Sequence, residues 1–78
     1  MHPDQVKQLL LEEFSDCDVT VESDGSHFNL VVVGDCFEGL RAVQRQQKVY
    51  AALSEQIASG AMHAVNIKTF TTSEWQQR

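Results

Sequence analysis

The chain has 78 residues, 42% of them hydrophobic and 22% charged, a composition typical of one small folded domain spanning residues 1–78. Its formal net charge is -5 at pH 7, so any binding to nucleic acid or to an anionic membrane would depend on a local basic patch. No apolar run approaches the roughly 18 residues of a membrane span, and the first residues lack the pattern of a secretory signal. We therefore expect a cytoplasmic protein without a membrane partner.

The first half of the sequence predicts a helix followed by a β-hairpin. From Pro3 to about Phe14 the apolar residues recur at helical spacing, and proline suits the first turn of a helix. Val19 and Val21 then alternate with polar residues, as on a half-buried strand. Asp24-Gly25-Ser26 is a strong turn signal, and residues 28–33 read as the second strand of the hairpin.

The second half predicts a long helix, a third strand and a short final helix. The long helix runs from about Leu40 to Ala58 and ends at Ser59-Gly60. Ala64 to Phe70 alternates like a strand, and Thr71 with Glu74 three residues later forms a capping box for the last helix. The apolar side predicted for the long helix consists of Val43, Val49, Tyr50, Leu53 and Ile57.

The order of these elements predicts an α+β fold of the arrangement αββαβα. A connection through a long helix normally returns the next strand parallel to its neighbour. The hairpin and the third strand should therefore form a mixed three-stranded sheet packed on helices. Such small folds host many activities, so the architecture alone does not indicate a function.

No catalytic motif is present, which predicts a protein that is not an enzyme. The sequence contains no GxSxG, no HExxH and no phosphate-binding GxxxxGK[ST] motif. Cys17 and Cys36 are too far apart in sequence for CxxC chemistry and form neither a disulfide framework nor a zinc site by themselves. We expect both thiols to be reduced and to behave as small buried side chains.

Two histidines are candidate metal ligands. His27 follows the hairpin turn and His63 stands at the entrance to the third strand, where side chains are often exposed and well anchored. Imidazole binds zinc, copper and iron. From spacing alone, the favoured interpretation of each is an ordinary surface or hydrogen-bonding histidine. His2, near the beginning of the chain, is predicted to have no role.

Three basic residues form a candidate phosphate-binding patch. Arg41, Arg45 and Lys48 are spaced four and three residues apart, which places them on one face of the predicted long helix. The alternative is a solvated face, or cations that pair with Asp and Glu side chains.

Five short segments, taken together, resemble the BolA-like family in order and spacing over nearly the whole chain. Gln46-Gln47 resembles the bacterial IbaG branch in particular, whereas Thr72-Ser73 and Cys36 depart from the common pattern. The matching segments are Asp24-Gly25-Ser26-His27-Phe28, Val31-Val32-Val33 leading to Phe37-Glu38-Gly39, Arg45 with Val49-Tyr50, Met62-His63-Ala64, and Thr71 to Trp75.

The resemblance implies a fold similar to class II KH domains and a role in iron–sulfur trafficking. In such complexes a [2Fe–2S] cluster is shared with a monothiol glutaredoxin, whose cysteine and a bound glutathione thiolate supply ligands. On the BolA-like side, the resemblance implies His63 as a ligand, with His27 as the candidate from the hairpin. Because two imidazoles cannot replace four ligands, we expect the isolated protein to hold no cluster.

The resemblance also leaves an alternative, a KH-like nucleic-acid-binding transcriptional regulator. Binding would then use Arg41, Arg45, Lys48 and Lys68. KH domains clamp nucleotides with a GXXG loop, which is absent here, since Gly34 and Gly39 are five residues apart. Together with the negative net charge, this predicts weak binding to nucleic acid at most.

Overall fold

The computed structural model describes residues 2–24, 27–62 and 64–77. Two segments singled out in the sequence, the Gly25-Ser26 pair and His63, lie outside the described residues. The helices are α1 (Pro3–Glu13), α2 (Ala42–Ala52), α3 (Ser54–Ala58) and α4 (Thr72–Gln77), the strands are β1 (Asp18–Asp24), β2 (His27–Val33) and β3 (Ala64–Phe70), and a 3₁₀ turn spans Asp35–Phe37.

The three strands form one mixed sheet, in the order β1-β2-β3. The first two strands are antiparallel, with Asp24 opposite His27 at one end and Asp18 opposite Val33 at the other. The third strand runs parallel to the second and begins with Ala64 opposite His27. The predicted αββαβα arrangement is thus confirmed, and the parallel pairing follows from the return of the chain through α2 and α3.

The core lies between one face of the sheet and the first two helices. Phe28, Leu30 and Val32 point from the central strand toward this core because alternate residues of a strand share a face. Each large apolar side chain buried in this way stabilises the fold by about 1.5–3 kcal/mol. The largest fully buried side chains are Phe28, Phe37, Leu10, Leu30, Leu53, Met62, Val6, Val32 and Val49.

The first helix is capped at its N-terminus by His2, a residue for which the sequence predicted no role. The Asp4 N–H donates to His2 Nδ1 at 3.2 Å, and the His2 N–H donates to Gln5 Oε1 at 2.9 Å. This reciprocal pair satisfies two backbone donors that would otherwise lack helical partners. Pro3 occupies the first turn, as predicted.

The prediction of one continuous helix from about Leu40 to Ala58 is wrong, because the structure has two helices, α2 and α3, in this range. The structure interrupts it at Leu53, whose φ of -113° and ψ of 10° are not helical and whose N–H donates to the Tyr50 carbonyl at 3.0 Å. No glycine or proline marks this position, and Leu53 is fully buried. Core packing, rather than a local helix-breaking residue, therefore sets the interruption.

The apolar side predicted for the long helix is only partly correct. Val49 and Leu53 are buried, whereas Val43 is 60% exposed and Tyr50 is 48% exposed. Within α2, Val49 is the one buried residue, so the buried stripe of this helix is narrower than the sequence pattern suggests. Two large apolar side chains consequently face solvent.

The predicted capping box at the last helix is confirmed. The Glu74 N–H donates to Thr71 Oγ1 at 3.1 Å, and the Thr71 N–H donates to Glu74 Oε1 at 2.8 Å. The helix returns Trp75 to the domain, where its ring lies 5.1 Å from that of Phe70. The last turn of the chain is thus fixed by both hydrogen bonds and aromatic packing.

Candidate functional site

His27 occupies an exposed position at one end of the central strand. It is the first residue of β2, paired with Asp24 on one side and with Ala64 on the other. Its neighbour Phe28 points into the core, so strand alternation directs His27 to the opposite, outer face of the sheet. The imidazole is therefore carried by a well-paired backbone while it remains open to ligands.

A polar pair of side chains lies next to His27 on the same outer face. Asn66 Nδ2 donates to Asn29 Oδ1 at 3.0 Å, joining the central strand to β3 two residue pairs beyond the His27–Ala64 pair. Neither asparagine was predicted as a site residue, although alternation along the strand places Asn29 on the same face as His27. A groove of about 240 Å³ runs along this face and is lined by Thr20, Glu22, Asn29, Leu30, Val31, Asn66 and Lys68.

The second predicted ligand, His63, lies outside the described residues. The next residue in the chain, Ala64, is the Cα partner of His27. Within residues 2–24, 27–62 and 64–77, no group of three or more His, Cys, Asp and Glu side chains could hold a metal ion. In the described part of the chain, His27 is thus an exposed imidazole that belongs to no such group.

The predicted basic patch separates into one partly buried ion pair and several exposed surface positions. The Arg45 side chain is only 13% exposed; its Nη1 lies 2.7 Å from Glu74 Oε1 and its Nε donates to the Leu40 carbonyl at 3.0 Å. Arg41 precedes α2 rather than lying within it. Arg41, Lys48 and Lys68 are exposed, so Arg45 serves the fold while the other three remain accessible.

The two cysteines are brought together by the hairpin. Cys17 Sγ lies 3.3 Å from Cys36 Sγ, and both thiols are free. Cys17 is buried, as predicted, but the prediction of a buried Cys36 is wrong because that residue is exposed in the 3₁₀ turn. Burial and the neighbouring Cys36 raise the pKa of the Cys17 thiol to about 12.

The proximity of the thiols follows from the register of the strands. Since Asp24 pairs with His27 and Asp18 with Val33, continuing the register places Cys17 opposite Gly34, two residues before Cys36. Only two residues separate Asp24 from His27, so the same register was available from a tight hairpin in the sequence. The pair was missed because Cys17 and Cys36 were taken as too far apart in sequence, without regard to the strand register that brings them together.

An exposed apolar groove lies along the second helix. Val43 and Tyr50, seven residues apart, are on one side of α2, and Ile67 of β3 forms the facing wall. Gln46 Nε2 donates to the Ile67 carbonyl at 3.5 Å across this boundary. The groove has a volume of about 300 Å³ and is lined by Val43, Gln46, Gln47, Tyr50, Ala51 and Ile67.

No helix in the described part of the chain is both long enough and apolar enough to cross a membrane. The longest, α1 and α2, have 11 residues each. That length is about half of the roughly 20 residues needed for a helical span.

Comparison with known proteins agrees with this fold. The chain is 41% identical over 75 residues to the acid stress protein IbaG of Escherichia coli K12, covering 96% of this chain and 89% of that protein. It is 36% identical over 87 aligned positions to a protein of Vibrio cholerae named the DNA-binding transcriptional regulator BolA, covering 99% and 81%. A solved structure of a BolA protein homologue from Coxiella burnetii superposes with a TM-score of 0.85 at 35% identity, covering 97% of each chain. Residues 5–74 match the family model described as BolA-like protein, and the chain therefore belongs to the BolA-like family.

Proposed function

We propose that this protein is a cytoplasmic, non-enzymatic adaptor that shares a [2Fe–2S] cluster with a monothiol glutaredoxin and glutathione. The observation that carries the proposal is the position of His27, an exposed imidazole on the central strand whose Cα partner is Ala64. Ala64 directly follows His63 in the sequence, so both candidate ligands belong to the segments that begin the parallel strand pair.

The available donors suit a shared cluster rather than one held by this chain alone. A [2Fe–2S] core needs four protein-type ligands, and the described residues contain no group of three. We assign His63 and His27 to one iron, and the glutaredoxin cysteine and the glutathione thiolate to the other. A neutral imidazole in place of a thiolate lowers the negative charge of such a cluster and raises its reduction potential, as in Rieske centres.

The exposed groove on α2 supports a protein partner. Val43 and Tyr50 are large apolar side chains whose exposure does not stabilise a monomer. Aromatic residues are also enriched at protein interfaces. We assign this groove to contact with the glutaredoxin. The name of the Escherichia coli relative, acid stress protein, supports a stress-related setting for the complex.

Reconstitution with a monothiol glutaredoxin tests the proposal. The full chain, a glutaredoxin, glutathione, iron and sulfide are combined, and the mixed complex is isolated by size-exclusion chromatography. We expect a heterocomplex whose visible absorption and circular dichroism differ from those of the glutaredoxin homodimer. Recovery of only the glutaredoxin homodimer spectrum, with this chain eluting free of iron, would refute the proposal.

The name of the Vibrio cholerae relative supports a second candidate function, binding to DNA. Arg41, Lys48 and Lys68 are the exposed cations that would contact phosphates. Fluorescence anisotropy over a range of salt concentrations tests this function. If DNA binds through these residues, the slope of the logarithm of affinity against the logarithm of salt concentration should become shallower by about one for each cation changed to Ala. Arg45 is unsuitable for this test because its loss disturbs the contact with Glu74.

A further inference from the structure

The two cysteines form a dithiol at the end of the sheet opposite His27. Cys17 directly precedes β1, and Cys36 lies in the 3₁₀ turn that follows β2. A seven-residue strand separates this end from His27, a distance of roughly 20 Å at about 3.3 Å per residue. The dithiol is therefore distinct from the proposed cluster site.

The backbone on both sides of the dithiol is anchored. The Cys17 N–H donates to the Phe14 carbonyl at 3.0 Å, and the Phe37 N–H donates to the Gly34 carbonyl at 3.3 Å. The rings of Phe14 and Phe37 lie in the core with centroids 6.0 Å apart, so the segments that carry the two thiols also pack together. The 3.3 Å separation of the sulfur atoms thus follows from fixed elements of the fold.

The absence of a side chain at position 34 makes room for this arrangement. A β-carbon on Gly34 would overlap Cys17 Sγ and would lie 3.1 Å from Cys17 Cβ. Gly34 has an extended backbone, with φ of -178° and ψ of 158°, which any residue adopts. Glycine is therefore needed here for the space that the inner thiol occupies and not for its backbone conformation.

We propose that Cys17 and Cys36 are a reversible redox site that forms an intramolecular disulfide by exchange with the disulfide of a small thiol such as glutathione. The sulfur atoms need to approach by roughly 1.3 Å to reach the bonding distance of about 2.05 Å, a change within reach of side-chain rotation. No third metal-ligating side chain joins the pair among the described residues, which favours thiol–disulfide exchange over a zinc site.

The difference in exposure between the two thiols sets the order of the reaction. The exposed Cys36 loses its proton to solvent, and its thiolate attacks one sulfur of glutathione disulfide, forming a mixed disulfide and releasing one glutathione thiolate. The buried Cys17 then loses its proton and attacks the Cys36 sulfur, expelling the second glutathione thiolate. The two released thiolates take up the two protons. The protein is oxidised by two electrons and glutathione disulfide is reduced to two molecules of glutathione.

Burial makes Cys17 the resolving thiol, which reacts only in the second step. Its pKa of about 12 holds it protonated at neutral pH, so it does not compete with Cys36 for the external disulfide. Once the mixed disulfide has formed, the Cys36 sulfur lies next to the Cys17 thiol, and the attack of Cys17 on it is intramolecular. The proximity of the two sulfur atoms accelerates this second step and so offsets the small fraction of Cys17 that is present as thiolate.

The test uses the full chain, reduced and freed of reductant, with glutathione disulfide as the only added reagent. Intact mass and a maleimide count of free thiols after denaturation report the products. We expect the wild-type protein to lose both thiols and two hydrogen atoms without retaining glutathione. Cys17→Ala should stop at the mixed disulfide and carry one glutathione on Cys36, whereas Cys36→Ser should keep its single thiol and carry no glutathione.

Three results would overturn the proposal. In the first, the wild-type protein keeps both thiols free under conditions that glutathionylate Cys17→Ala. In the second, it accumulates a stable glutathione adduct, and in the third, its disulfides join two chains at every protein concentration. Because Cys36 is exposed, Cys36→Ser should fold normally and keeps the test decisive if Cys17→Ala is unstable. The experiment contains neither iron nor glutaredoxin, so its result is independent of the cluster proposal.

Discussion

Arg45 and Glu74 join the second helix to the last one through a two-pronged contact. Arg45 Nη1 donates to Glu74 Oε1 at 2.7 Å and Nη2 donates to Oε2 at 3.4 Å. The same carboxylate accepts the Thr71 N–H of the capping box. The hydrogen bond from Arg45, followed by the one from Thr71, lowers the pKa of Glu74 below its ordinary value of 4.5.

This contact makes the fold sensitive to acid. Because the pKa of Glu74 is lowered in the folded state, its contribution to stability is present above pH 4.5 and is lost as the carboxylate is protonated at lower pH. Glu74→Gln should therefore lower the urea midpoint at neutral pH, with the difference from wild type shrinking as the pH falls below 4.5. Glu38→Gln, which changes an exposed carboxylate in a turn, is the control. An equal loss at every pH would contradict the assignment.

The close contact of the Cys17 side chain with Gly34 predicts that any larger residue at position 34 destabilises the fold by steric overlap. Gly34→Ala places a methyl group on the Cys17 sulfur, and overpacking of this kind typically costs about 1–3 kcal/mol. The cost should fall, though not vanish, when the sulfur is removed in Gly34→Ala/Cys17→Ala, since the Cys17 Cβ is still 3.1 Å from the new methyl. Urea unfolding of the two single variants and the double variant forms the required cycle. Additive effects would show that the methyl does not meet the Cys17 side chain.

The sequence predicted the architecture well because its signals for this fold are local. Strand alternation, the turn at residues 24–26, and the Thr71–Glu74 capping box each depend on neighbours in the chain. The interruption at Leu53 was missed because nothing local marks it: the residue leaves helical geometry where it enters the core. For the same reason, the exposure of Val43 and Tyr50 was not evident from helical periodicity.

The candidate site was less accessible from the sequence because it depends on contacts between strands. His27 was identified from its place after a turn, but its neighbours Asn29 and Asn66 meet only through the parallel register. Arg45 was grouped with Arg41 and Lys48 by helical spacing, whereas its partner Glu74 is 29 residues away. Tertiary pairing therefore decides which residues of a local pattern remain free to bind a ligand.

The groove on α2 predicts a specific effect on glutaredoxin binding. Tyr50→Glu places a charge where an apolar contact is proposed, and it should weaken binding on the order of tenfold or more, equivalent to about 1.4 kcal/mol. Tyr50 is 48% exposed, so circular dichroism should show an intact fold. Ala42→Glu makes the same change of charge at the start of α2, outside the groove, and should leave the affinity unchanged in calorimetry. Equal affinities for both variants would remove the groove from the interface.

The histidine assignments predict a change in the spectrum of the mixed complex with little change in the fold. His63→Ala should remove the distinctive visible and circular-dichroism bands of the heterocomplex, or return the cluster to a glutaredoxin homodimer, because one iron loses its imidazole. His27→Ala should give a milder defect if water or a neighbouring polar group replaces the ligand. The exposed position of His27 predicts a stability change within about 0.5 kcal/mol.

His2→Ala provides the matched control, since it removes an exposed imidazole outside the proposed site. Its loss deprives the Asp4 N–H of its acceptor and should cost about 0.5–1 kcal/mol of stability through the helix cap. The cluster spectrum should nevertheless be identical to that of the wild-type complex. The two histidine roles are thus separated by opposite patterns, with stability affected at His2 and spectrum affected at His27 and His63. An unaltered spectrum and cluster lifetime in His63→Ala would show that this histidine is not a ligand, and the adaptor function would then depend on protein contact alone.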